Sequence, residues 1–186
     1  APTITSGAEA VSIEENSGAG QVVYTATADD SADVSSGDIT FSLAAGSDSD
    51  LSINASTGEV TLNADPVHDI KSQYDFTVTA TDAAGNQSSG QSLSLNIIKV
   101  VNLDENSGDN QVIYTATADG LIDGVTFSLA GDSDSSISID ATSGEVSLIT
   151  DPDHETQSVF NFAVTVTDAA GSQVAEKLVS LKIRDL

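Results

Sequence analysis

Carboxylates are the chemistry this sequence offers in quantity, with 29 Asp and Glu against 5 Lys and Arg and a formal charge of −24. Such a surface repels nucleic acid and anionic membranes and attracts cations. Cys and Met are absent and only two His are present, so oxygen-ligated hard cations are the metals that suit it. The serine–aspartate runs 47–50 and 132–135 lack the Asp-x-Asp-x-Asp-Gly pattern and distant Glu of an EF-hand, and read as turns. No Gly-x-Ser-x-Gly elbow occurs and no Ser, His and acid can be nominated as a triad, so an enzyme is not expected. Acidic clusters on so charged a chain are also ordinary solvated surface, which makes position the deciding question.

The elements that would position these groups come twice. Glu15-Asn16-Ser17-Gly18 and Tyr24-Thr25-Ala26-Thr27-Ala28-Asp29 recur as Glu105-Asn106-Ser107-Gly108 and Tyr114-Thr115-Ala116-Thr117-Ala118-Asp119, an offset of 90. From Phe41 and Phe127 onward the offset is 86, which places four extra residues of the first copy between Asp29 and Phe41. Surface loops tolerate such insertions. Two domains are expected, 1–98 and 99–186, each long enough to bury a core.

Within each copy the apolar pattern has a period of two. Val22, Tyr24, Ala26 and Ala28 alternate with Val23, Thr25 and Thr27, and the same period runs through Phe76, Val78, Ala80 and Leu93, Leu95, Ile97. Short segments rich in Val, Ile, Thr and Tyr, punctuated by Ser-Gly, Thr-Gly and Ala-Gly, predict an all-β fold: two tandem Greek-key β-sandwiches of about seven strands each. Tyr24, Tyr74, Phe76, Tyr114, Phe160 and Phe162 are expected in the cores. His68 and His154 are equivalent residues of the two copies, and a structural or surface role is expected for both.

Three ordered features resemble cadherin repeats, in particular those of very long bacterial surface and secreted proteins. They are Glu15-Asn16 and Glu105-Asn106; Ile53-Asn54-Ala55-Ser56-Thr57-Gly58 and Ile139-Asp140-Ala141-Thr142-Ser143-Gly144; and the strands ending in Thr81-Asp82 and Thr167-Asp168. The resemblance implies Ca²⁺ at repeat junctions, held by the base of one repeat, the linker and the top of the next. In the second copy the base positions carry Glu105, Asp153, Glu155 and Asp185; in the first they carry Glu15, Val67, Asp69 and Lys99. The resemblance thus implies complete sites at the top of copy one (Asp29, Asp30, Asp33, Asp82) and the base of copy two. Each needs a neighbouring repeat, so affinity in isolation is expected to be weak. Between the copies a calcium-filled junction is not expected, although Asn102, Asp104, Asp119, Asp123 and Asp168 could supply oxygens; a short continuous strand and side-chain packing are expected there instead.

The function this implies is an extracellular spacer or adhesion module of a large adhesin, with neighbouring repeats as partners and Ca²⁺ governing stiffness. The alternative is a module that binds polysaccharide or another cadherin-like domain, for which aromatic residues at 4% are few. No apolar run approaches the ~18 residues of a membrane span. The start at Ala1-Pro2-Thr3 does not read as a signal peptide, and with the end at Asp185-Leu186 it suggests a segment of something longer.

Overall fold

A computed structural model describes residues 1–31, 37–118 and 124–186. Asp33, Asp119 and Asp123 lie outside the described residues. The chain divides into two units, Ala1–Ile97 and Ile98–Leu186.

Unit 1 runs β1 (Thr3–Ile4), β2 (Ile13–Glu14), β3 (Gln21–Thr25), β4 (Ala28–Asp29), β5 (Thr40–Leu43), β6 (Leu51–Ile53), β7 (Glu59–Leu62), β8 (Gln73–Thr81) and the first part of β9 (Gln91–Asp104). One sheet has the order β3-β7-β6 and the other places β8 between β5 and β9 with β2 also pairing with β9; the pairs β3-β7, β7-β6, β5-β8 and β8-β9 are antiparallel. Alternation fixes which side chains enter. Tyr74, Phe76, Val78 and Ala80 of β8 and Leu93, Leu95 and Ile97 of β9 share one core with Val23, Val60 and Leu62 of the facing sheet. Tyr24 meets Phe76 edge-on at 6.0 Å.

The expected period fails at one place in β3. Val22 is 51% exposed whereas Val23 is 1% exposed, the reverse of the sequence expectation, because the pairing with β7 shifts between Val22 and Tyr24. The extra residue of this β-bulge turns Val23 inward beside Tyr24 and reverses the facing of the strand's start.

Unit 2 repeats the plan with the later part of β9, β10 (Gln111–Thr115), β11 (Thr126–Leu129), β12 (Ile137–Ile139), β13 (Glu145–Leu148), β14 (Val159–Thr167) and β15 (Gln173–Arg184). Its sheets have the orders β10-β13-β12 and β11-β14-β15-β9, and residues 99–104 of β9 lie parallel to β15. The same bulge recurs between Val112 and Tyr114. Val146, Leu148, Phe160, Phe162, Val164, Leu181 and Ile183 form the core.

The Thr-Gly turn shows why the repeated motif tolerates Asn or Asp. Asn54 Oδ1 accepts the N–H of Ser56 and Thr57 at 3.0 and 3.1 Å; Asp140 Oδ1 accepts those of Thr142 and Ser143, both at 2.8 Å. The backbone donors, that of Ser143 first, hold the Asp140 carboxyl below its ordinary range. The serine–aspartate runs are also structural: Asp48 accepts from Lys71 Nζ and from the N–H of Asp75, and its counterpart Asp134 from Gln157 Nε2 at 2.8 Å.

Candidate metal centres at the ends of the units

The Glu-Asn motif opens a turn in both units. Asn16 and Asn106 adopt φ of 56° and 54°, a left-handed conformation that Asn tolerates better than most residues. Their N–H groups donate to Pro66 and Pro152 C=O, each at 2.8 Å. The preceding glutamates are thereby turned inward and buried, with Glu15 Oε2 accepting the His68 N–H and Glu105 Oε2 accepting the His154 N–H, each at 3.2 Å. Sequence reasoning assigned these glutamates only to metal. Their shared use as a clamp on the Pro-x-His segment was legible in its recurrence even where unit 1 loses Asp153's counterpart to Val67.

At the base of unit 2, Glu105, Asp153 and Glu155 offer carboxylate oxygens within 4.8 Å of one another, and a second trio, His154, Glu155 and Asp185, meets the same distance. All four expected base ligands therefore fall in two overlapping trios that share Glu155. His154 is the member the sequence reading left out. Glu105 Oε1 accepts the Leu186 N–H at 3.2 Å, which ties the end of β15 to this cluster. Asp153 accepts the hydroxyl and N–H of Thr156 at 2.8 and 3.1 Å, and that hydroxyl first holds its carboxyl below the ordinary range. A carboxylate so placed stays ionised well into acid. Asp104 pairs with Arg184 at 2.7 Å.

At the base of unit 1, Glu15 and Asp69 flank a buried His68 whose Nδ1 lies 3.2 Å from Asp69 Oδ1. Among the described residues, both trios of ligating side chains belong to unit 2.

Among the described residues, the top of unit 1 separates three similar-looking acids. Asp29 is exposed and folded back on its own loop, taking the N–H and hydroxyl of Ser31, both at 2.9 Å; the Ser31 N–H is the main reason its carboxyl lies below the ordinary range. Asp82 organises the Thr-Asp-Ala-Ala-Gly turn. Its oxygens accept the N–H groups of Ala84 and Asn86 at 2.9 and 2.8 Å and the Asn86 side-chain amide at 2.8 Å, and that amide leads in lowering its carboxyl. Asp168 does the same in unit 2 with Ala170 and Ser172, both at 2.9 Å.

Asp30 differs from the others. Its side chain is 7% exposed, and neither oxygen has a hydrogen-bond partner among the described residues. The Ala1 ammonium lies 3.7 Å from Asp30 Oδ1 and 3.9 Å from Asp82 Oδ2, whose side chain is fully buried. A buried carboxylate without donors is costly unless a cation neutralises it. Two buried carboxylates within reach of the same point make a donor set that fits a hard, oxygen-seeking ion.

Solved structures similar to this chain include Drosophila N-cadherin EC1-3, at 19% identity over 100% of this chain and 68% of that one, with a TM-score of 0.45. Human CDH23 EC21-23 is similar at 18% identity over 99% and 67% of the two chains, with a TM-score of 0.41. Human Protocadherin-24 EC1-2 is similar at 15% identity over 100% and 98%, with a TM-score of 0.43. No curated protein matches the chain. The family model described as Cadherin domain matches residues 9–100, just under half of the chain and nearly all of unit 1, and it is to cadherin domains that this chain is similar.

Proposed function

We propose that the chain is an extracellular structural module of a long surface or secreted adhesin of the bacterial kind, in which cations bound at the ends of its cadherin-like units couple them to neighbouring repeats. The supporting observation is the Asp30–Asp82 pair, in which a buried carboxylate with no hydrogen-bond donor among the described residues and a fully buried one reach the same point. Ca²⁺ supplies the positive charge and the six to eight oxygen sites that such carboxylates fill in part. The residues of the chain do the rest. Asp82 is oriented by the turn it caps, Asp30 brings unshared lone pairs, and Glu105, Asp153, Glu155 and Asp185 form a second set on unit 2. No end contributes enough oxygens alone, so neighbouring modules complete the shell and are held by it.

The proposal expects weak binding in this fragment, with Kd on the order of 10⁻⁴ to 10⁻³ M as in other extracellular calcium modules. Titration calorimetry with CaCl₂ is expected to show two sites. The double substitution Asp153→Asn with Glu155→Gln should remove the unit 2 site and leave the other. Absence of any calcium heat in the unmodified chain, or an unchanged isotherm in the double variant, counts against the reading.

A further inference from the structure

One strand edge occurs in the two units under different conditions. In unit 1 the outer side of β3 and β4 is covered by the chain's own first residues. Thr3 and Ile4 pair with Asp29 and Ala28. The N–H of Thr5 donates to Thr27 C=O at 2.8 Å, and that of Val11 to Val23 C=O at 2.9 Å. The Thr27 N–H donates to Ser6 Oγ at 3.2 Å, and the Tyr24 hydroxyl to Gly7 C=O at 2.7 Å. Ile4 and Ala10 pack on the core beneath.

Unit 2 carries almost the same edge, Gln111-Val112-Ile113-Tyr114-Thr115-Ala116-Thr117-Ala118 against Gln21-Val22-Val23-Tyr24-Thr25-Ala26-Thr27-Ala28. In both units the residues just ahead of this edge join the other sheet, β2 beside β9 and the end of β9 beside β15, but in unit 2 the counterparts of residues 9–11, Lys99–Val101, already pair with β15 and do not run along the edge. Among the described residues, strand β10 has β13 as its one strand neighbour. Among the described residues, no backbone N–H reaches the C=O of Ile113 or Thr117, the counterparts of Val23 and Thr27. Burial follows the same difference: Val23 and Tyr24 are buried, whereas Ile113 and Tyr114 are only half-buried. The eight residues include no charge and no proline, the two devices that commonly protect a bare edge.

We infer that the outer edge of β10 is an acceptor for β-strand addition, taking an extended strand of small and β-branched residues, with the chemistry of Thr3–Val11, from another polypeptide. The occupant is argued from unit 1, where a segment of that kind covers an edge differing at one position in eight. The incoming strand would donate to the C=O of Ile113 and Thr117, and its apolar side chains would cover Ile113 and Tyr114 as Ile4 and Ala10 cover the core of unit 1. Backbone pairing provides the attachment and the small pockets provide the selectivity. A weakly charged strand suits the site, since a whole second copy would bring its own net −24 and be repelled at low salt.

The test is amide NMR of the complete, isotope-labelled chain titrated with a synthetic peptide of residues 1–12, capped at both ends. Shift changes confined to Gln111–Ala118 are expected, saturating with a Kd between about 10 μM and 1 mM. Thr115→Pro should weaken binding at least about tenfold. The Ala116 N–H points inward to Gly144 C=O at 2.9 Å, so that of Thr115 points outward, where its loss leaves the internal ladder intact. Val112→Lys, at a side chain already 56% exposed, should weaken it similarly without touching the core. No shifts at about 2 mM peptide, shifts confined to Gln21–Ala28, or shifts that survive both substitutions would overturn the inference. So would concentration-dependent self-association abolished by Val112→Lys, because that result assigns the edge to a second copy.

Discussion

Gly144→Ala is expected to destabilise unit 2 by about 3 kcal/mol, a drop of more than about 10 °C in its melting midpoint for a domain of this size. Gly144 has a φ of +73°, where a side chain is strained, and an added Cβ would lie 2.7 Å from the Ala116 C=O. Neither penalty can be relieved alone. The Ala116 N–H is itself bonded to Gly144 C=O, so moving the turn away from the oxygen breaks that bond. Gly58→Ala should be at least as severe in unit 1, with Cβ 2.4 Å from Ala26 C=O at the same φ. Gly131→Ala is the control, since nothing lies within 4 Å of its Cβ position, and a change of less than about 1 kcal/mol is expected. Circular-dichroism melts of the three variants measure the difference. A Gly144→Ala midpoint within 2–3 °C of the parent, on the order of the control's change, would mean that the turn is not held as described.

Asp30→Asn should raise the midpoint in chelator and at the same time abolish calcium binding at the top of unit 1. Its two oxygens are buried with no hydrogen-bond donor among the described residues, and the Ala1 ammonium at 3.7 Å from Oδ1 makes a charge contact but no hydrogen bond. Replacing the charge with an isosteric amide removes most of the burial penalty, about 1–2 kcal/mol. The opposite signs make the pair of measurements informative. A structural carboxylate would destabilise on substitution whether or not calcium is present, whereas a cation ligand stabilises the ion-free chain and loses the ion. Asp29→Asn serves as the contrast: its carboxylate caps its own loop through Ser31, so that substitution should leave calcium binding in place.

The contrast between Asp29 and Asp30 also marks the limit of what the residues reveal in order. The repeats, the all-β class and the alternation along β8 and β9 were legible because one face of each strand is buried and the side-chain period is two. The start of β3 was not, because one inserted residue reverses the facing of Val22 and Val23 without any local compositional sign. Among 29 acids, sequence cannot distinguish a carboxylate satisfied by its own turn, such as Asp140 or Asp168, from one enclosed with no donor among the described residues, such as Asp30. That difference depends on which backbone N–H groups converge. His154 joined Glu155 and Asp185 for the same reason, by where the end of β15 falls. The use of residues 3–11 as a cover for β3, and its lack of a counterpart on β10 among the described residues, appear only once the two edges are placed in their sheets.

Cation binding at the ends of the units is tested most directly by a thermal melt of this chain in about 10 mM CaCl₂, in the same concentration of MgCl₂, and in excess chelator. Sites with Kd near 10⁻³ M stabilise by about 1.4 kcal/mol at that concentration, so a calcium-specific rise of roughly 5 °C is expected. Equal midpoints in all three, or a rise that magnesium reproduces, would contradict calcium binding by this fragment's own carboxylates.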